Sequence, residues 1–308
     1  MRSRAAEEHD ERGESVRTIV VALVANVVIA IAKLIAGLVS HSTALLAESA
    51  HSFADSLNEV LLGISVRRAR KPPDADHPLG HGREQFLWAF MAAIGSFLIG
   101  GCLSVFLAIR TLRMGEETTR PGIAWTVLAV SFVADGISLI QSLRHARRQS
   151  KEFGLGLWDY IRRASDPTIR AVVVEDSAAV IGVVIAAIGL LIDTPKADGI
   201  ASLLIGILLA ATAVGLARPL ADFLVGRSIH PERLAELRDV VQASPAVDRI
   251  ISLRAVYSGP EEVIVAAKIK PSKNMTVEQV TLAMDKLDHE LRAVSSLVAD
   301  VFLDLTRA

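Results

Sequence analysis

Six apolar stretches, at about 18–39, 43–66, 86–109, 122–143, 169–192 and 200–220, are each long enough for a helix to cross the hydrocarbon layer of a bilayer. Repeated at this length they leave one broad solution. In lipid each backbone N–H and C=O must be satisfied within its own segment, so the chain is expected to form a bundle of six transmembrane helices. A hydrophobic content of 51% agrees with an integral membrane protein. The mixed-charge opening, Met1 to Glu14, has no short apolar core before a cleavage site, so the first long run is expected to remain as an anchor. A net charge of −1 gives no global basic character that would suggest nucleic acid. The single cysteine, Cys102, rules out an internal disulfide and a cysteine-based metal site, and reads as a small packing residue.

The second stretch is unlike the others. Glu48, His51, Asp55, Asn58 and Glu59 recur at spacings of three and four and share one helical face, while Leu45, Leu46, Phe53, Leu57, Val60 and Leu61 occupy the rest. Ionisable groups at membrane depth are costly and must face protein or a watery cavity, so a row of them marks a functional site. An imidazole and a carboxylate one turn apart, His51 and Asp55, suit a divalent transition metal better than they suit bundle packing, which uses Ser, Thr or Asn. Two ligands from one helix hold an ion poorly, and the fifth span supplies Glu175 and Asp176. Neighbours on a helix point about 100° apart, so one of the two is expected to join His51 and Asp55. Lys33 in the first span either snorkels to an interface or pairs with an intramembrane carboxylate. Asp135, in the fourth, reads as a structural or proton-relay group.

Basic residues set the orientation. Arg2, Arg4, Arg12 and Arg17 precede the first span, Arg67, Arg68, Arg70, Lys71 and Arg83 follow the second, and Arg144, Arg147, Arg148, Lys151, Arg162, Arg163 and Arg170 follow the fourth. The other side carries Arg110, Arg113, Arg120 and Lys196. Both termini are therefore expected in the cytoplasm. The loop after the second span also holds Asp74, His77 and His81 among prolines and glycines, either as a metal site or as a solvated loop with incidental histidines.

From about residue 227 the texture becomes that of a soluble domain. A helix from Pro231, strands near 247–257 and 263–269 around a Ser258-to-Glu262 turn, a helix opened by the Thr276-x-x-Gln279 capping box and a last strand at 298–305 give an α-β-β-α-β order. That order predicts a small α+β domain at 227–308, with the membrane domain at 1–226.

Taken together, these features resemble the cation diffusion facilitator family of proton-coupled exporters of zinc and other transition metals. His51 and Asp55 match the family's second-span ligand pair, Asp176 its fifth-span acid, and Asp74, His77 and His81 a second metal site in the loop. Where the family usually has His or Asp four residues before the fifth-span acid, this chain has Val172. The run Val174-Glu175-Asp176-Ser177 is similar to the branch that includes zinc transporter nine, so Glu175 either replaces the missing ligand or faces Lys33 or a neighbouring helix. The resemblance implies a homodimer and a ferredoxin-like, metallochaperone-like C-terminal domain that is cytoplasmic. There His230, His289 and Asp304 are a sparse set for metal.

The expected activity is secondary transport and not catalysis, since no His-Glu-x-x-His or nucleophile-base pair is present. A divalent cation, first of all Zn2+, leaves the cytoplasm in exchange for protons by alternating access around the midplane site, with no prosthetic group. His51 is the expected coupling group because an imidazole ordinarily titrates near neutral pH and ligates only when neutral. Iron, manganese or cobalt export, and a metal-sensing membrane scaffold, are the other readings. The lipid setting expected is a prokaryotic plasma membrane.

Overall fold

The computed structural model describes residues 23–114, 121–152, 156–163, 167–260, 262–273 and 275–306. The arginines at 2, 4, 12, 17 and 120, Asp166, Glu261 and the first turn of the first span lie outside them. The chain divides into two compact units, one of residues 1–64 and 88–218, the other of residues 65–87 and 219–308.

The first unit is helical. Helix α1 runs over Leu23–Ser40, α2 over Thr43–Ala69, and a third span over Glu84–Met114. The third span consists of α3 (Glu84–Ser96), a π-helical turn at Phe97–Cys102 and α4 (Leu103–Met114). Helices α5 (Pro121–Glu152), the short α6 (Leu157–Arg163), α7 (Pro167–Ile192) and α8 (Pro195–Val225) follow. Among the described residues five helices are long and apolar enough to cross a membrane. The sixth is α2, whose 27 residues suffice in length and whose mean polarity is raised by the row from Glu48 to Glu59 and by Arg67 and Arg68. This is the six-helix membrane domain read from the apolar runs.

Small side chains set the packing. Ala36, Ala44, Ala47, Ala178, Ala186 and Ala201 lie in one buried cluster with Leu45, Leu128, Ile205 and Leu209, as expected where helices associate by close approach in lipid. At the π turn, a Cβ on Gly101 would stand 3.1 Å from that of Ala210 on α8. Cys102 lies on that turn and is exposed, so it does not pack the interior. The extra residue of a π turn re-aims a helix locally, which lets Gly100 and Gly101 meet Leu209 and Ala210 of α8 within a continuous span.

The second unit contains the α+β fold. Helix α9 (Pro231–Ala243) precedes β1 (Val247–Gly259) and β2 (Glu262–Pro271), which pair antiparallel; α10 (Val277–Val294) then crosses to β3 (Val298–Leu305), parallel to β2. The strand order is β1-β2-β3. Both halves of the capping box form: Thr276 Oγ1 accepts from Gln279 N, and Gln279 Oε1 from Thr276 N. Val263, Val265, Ala267 and Ile269 alternate inward along β2 and meet Leu237 and Val241 of α9 and Leu287 and Leu291 of α10.

Candidate functional site

Helix α2 is fixed at its start by a carboxylate from α8. Asp198 accepts from Ser42 Oγ at 2.6 Å and from the backbone N–H groups of Thr43 and Ala44. Those amides have no partner within the helix, and an anion there also meets the positive end of the helix dipole. The polar face of α2 then turns toward α1, α5 and α7.

Lys33 of α1 is fully buried and donates to Glu48 Oε2 at 3.1 Å and to Ser52 Oγ at 2.9 Å, with Asp135 Oδ2 of α5 at 3.5 Å. Of the two sequence readings for Lys33, the ion pair is the one that forms. Asp135 is its second carboxylate. Glu48 fits because position 182 on α7 is glycine: a Cβ there would overlap Glu48 Oε1.

One turn further along, His51 Nδ1 lies 3.3 Å from Asp55 Oδ1, while His51 Nε2 is buried with no hydrogen-bond partner among the described residues. Further still, Asn58 donates to Glu175 of α7 and Asn26 of α1 donates to Glu59 at 2.7 Å. Asp176 Oδ1 accepts from Ser138 of α5 at 3.0 Å, and its Oδ2 is buried and unpartnered. Val172 is exposed on α7, so that position faces out of the bundle, while Glu175 reaches the face of Asn58. Asp135, Glu175 and Asp176 are each within electrostatic reach of Asp55.

The intramembrane candidates therefore form pairs and not a closed cage. Among the described residues, the one group of three His, Cys, Asp or Glu side chains whose ligand atoms all lie within 4.8 Å of one another is Asp74, His77 and His81. Asp74 organises that loop. Its Oδ1 accepts from the backbone N–H of Asp76 at 3.0 Å and of His77 at 2.7 Å, and its Oδ2 lies 3.0 Å from His81 Nε2. His81 Nδ1 is 2.8 Å from Glu84 Oε1 at the start of α3. A carboxylate faces each ring nitrogen, an arrangement that favours the imidazolium form, in which both nitrogens donate. Hydrogen bonds to Asp74 and then to Glu84 raise the His81 pKa. The His81 bond, followed by the His77 N–H, holds the Asp74 carboxyl down at about 2. The loop packs closely on the β1–β2 turn of the same unit, since a Cβ on Gly82 would come within 2.7 Å of the Ser258 carbonyl oxygen.

In the C-terminal domain His230 faces Glu232 at 3.6 Å, His289 faces Asp288 at 3.7 Å and Asp304 faces Lys268 at 3.5 Å, three separate surface pairs. Sequence reasoning missed Glu84, Ser138 and Gly182. Glu84 stands three residues after His81, a same-face spacing that would have pointed to it.

Comparison with known proteins matches residues 19–225 to the cation efflux transmembrane domain. The mitochondrial proton-coupled zinc antiporter SLC30A9 of Xenopus laevis is 31% identical over 257 residues, which are 82% of this chain and 46% of that protein. Metal tolerance protein C4 of Arabidopsis thaliana is 30% identical over 78% of this chain and 53% of its own length. The chain thus spans about half the length of these two relatives. The manganese efflux system protein MneP of Bacillus subtilis is 27% identical over 92% of this chain and 93% of itself. A membrane domain matched along nearly all of its helices, with polar groups converging from α1, α2, α5 and α7, makes this chain a membrane protein of the cation diffusion facilitator family, a family of cation transporters and not of enzymes.

Proposed function

We propose that the protein exports a divalent transition-metal cation, first of all Zn2+, from the cytoplasm in exchange for protons. The observation that carries this reading is the buried, unpartnered Nε2 of His51 beside Asp55. A buried polar atom without a partner is costly, and a neutral imidazole nitrogen left free on a ring that touches a carboxylate is an ordinary ligand for a divalent cation. Asp55 and His51 hold the ion from α2, and Glu175, released by Asn58, or Asp176, released by Ser138, completes the set from α7. Binding displaces protons, since neither a protonated imidazole nor a protonated carboxyl ligates well. Protons arriving from the far side reverse the exchange, with access alternating around the site.

The remaining assignments follow from this reading. Both termini face the cytoplasm of a prokaryotic plasma membrane, residues 1–226 transport, and 227–308 join two copies into a homodimer through the sheet face that exposes Phe302. Asp74, His77 and His81 bind a second, cytoplasmic ion.

Manganese is the second reading for the cargo. One imidazole among several carboxylates is a hard, oxygen-rich set of the kind Mn2+ accepts, and the relative matched over nearly its whole length is named for manganese efflux. The test is metal-driven proton movement in proteoliposomes with zinc, manganese, iron and cobalt, for the parent and Asp55→Ala. Zinc-driven flux that disappears with Asp55 supports the proposal; manganese-driven flux moves the cargo to Mn2+. A parent that moves no ion leaves the protein as a metal-sensing scaffold.

A further inference from the structure

The transport reading uses His51, Asp55 and the α7 acids, and leaves Lys33 unassigned. Its ammonium is fully enclosed at membrane depth, bonded to Glu48 and to Ser52, the residue next to His51. A bundle that needed only an interhelical tie here could use Ser or Asn at far lower desolvation cost. Lys33 also contacts more than one carboxylate. Asp135 lies at 3.5 Å with its Oδ2 lacking any hydrogen bond, and Asp55 and His51 are within reach of the Lys33 charge. One ammonium against Glu48 and Asp135 leaves the cluster one negative charge in excess, beside the acids of α2 and α7.

We propose that Lys33 is the resident cation of this pocket: a tethered positive charge that compensates its carboxylates and sets the affinity for the divalent ion by repelling it. This rests on the transport reading above. Like charges in a poorly screened interior act strongly on one another, and the ammonium cannot leave. An exporter needs a site tight enough to fill and loose enough to empty. Lys33 supplies the second property, and Glu48, seated against Gly182, absorbs part of its field so that the first survives.

The test measures Zn2+ and Mn2+ binding to full-length purified protein in detergent, with flux in proteoliposomes alongside. Lys33→Met removes the ammonium and leaves Glu48 and Asp135 uncompensated, so that the cluster carries two negative charges in place of one. It is expected to bind metal at least about tenfold more tightly than the parent, about 1.4 kcal/mol, and to turn over more slowly. Lys33→Arg keeps parental binding. Glu48→Gln alone, which leaves the ammonium less compensated, weakens binding; it keeps the proposal testable if Lys33→Met does not fold. Unchanged or weaker binding in folded Lys33→Met, or unchanged binding in Glu48→Gln, overturns the role of Lys33. Parental binding that survives Asp55→Ala overturns instead the site reading beneath it.

Discussion

The membrane pocket and the loop after α2 offer the same ligand types and rest in opposite ways. In the loop, Asp74, His77 and His81 stand within 4.8 Å of one another, the His81 imidazole held between two carboxylates. In the bundle, among the described residues, Asp55 pairs with His51, Glu175 goes to Asn58 and Asp176 to Ser138, and Lys33 gathers Glu48 and Asp135. The difference is one of solvent. Water reaches Asp74 and His77 at the loop surface, so gathering charges there is cheap, and the buried His81 ring is satisfied by a carboxylate on either side. At membrane depth each carboxylate needs its own donor, and ligands gather only around an ion.

The sharpest way to break this contrast is functional. Asp55→Ala should reduce metal-driven flux to the protein-free background, whereas Asp74→Ala with His81→Ala should leave measurable flux; equal loss in both would erase the distinction between cargo site and loop site. Ion pairs come next. Lys33→Ala strands Glu48 and should destabilise the protein by ~3–5 kcal/mol. Arg68→Ala, whose 3.7 Å pair with Glu84 is half exposed, should cost under ~1 kcal/mol. Thermal unfolding in detergent compares the two, and equal shifts would refute the solvent argument.

The glycines probe packing on a smaller scale. Gly82→Ala drives a Cβ into a backbone carbonyl and should cost roughly 1–3 kcal/mol, read from the same melts. Gly182→Ala meets only the end of the Glu48 side chain and should cost less. A reversed order would mean that the Glu48 carboxylate is held more rigidly than the loop backbone. The smallest effect is a titration. In metal-free protein His81 should titrate above the ordinary histidine value of about 6.5, and Asp74→Asn should bring it down, as ring resonances in NMR would report. Since the folded pKa is the raised one, the stabilisation from this pair is complete below the ordinary value and is lost as pH rises through the His81 value. The depressed Asp74 value acts at the other end: its contribution is present above the usual carboxylate range and disappears as pH falls toward about 2.

Much of this was legible in the chain, and the residues say why. Apolar runs of membrane length require helices, the Thr276 and Gln279 spacing requires a cap, and alternation along β2 requires one buried face, because each is a local periodic consequence of backbone geometry. The polar face of α2 was equally visible, as was the loop cluster, whose three residues fall within eight positions of sequence. What remained open were pairings across helices. Lys33 had two readings until α2 and α5 were placed beside it, and Glu175 had several until Asn58 reached it. The role of Gly182 was invisible, since its missing side chain matters only where Glu48 arrives.

By itself the sequence determined the elements, the spans and the types of chemistry, because those follow from neighbours along one chain. Only the tertiary structure decided which carboxylate faces which donor, that His51 Nε2 is left without one, and that a buried ammonium shares the pocket. Those outcomes depend on distances between segments far apart in sequence, and in a medium without water such distances determine which charges are compensated.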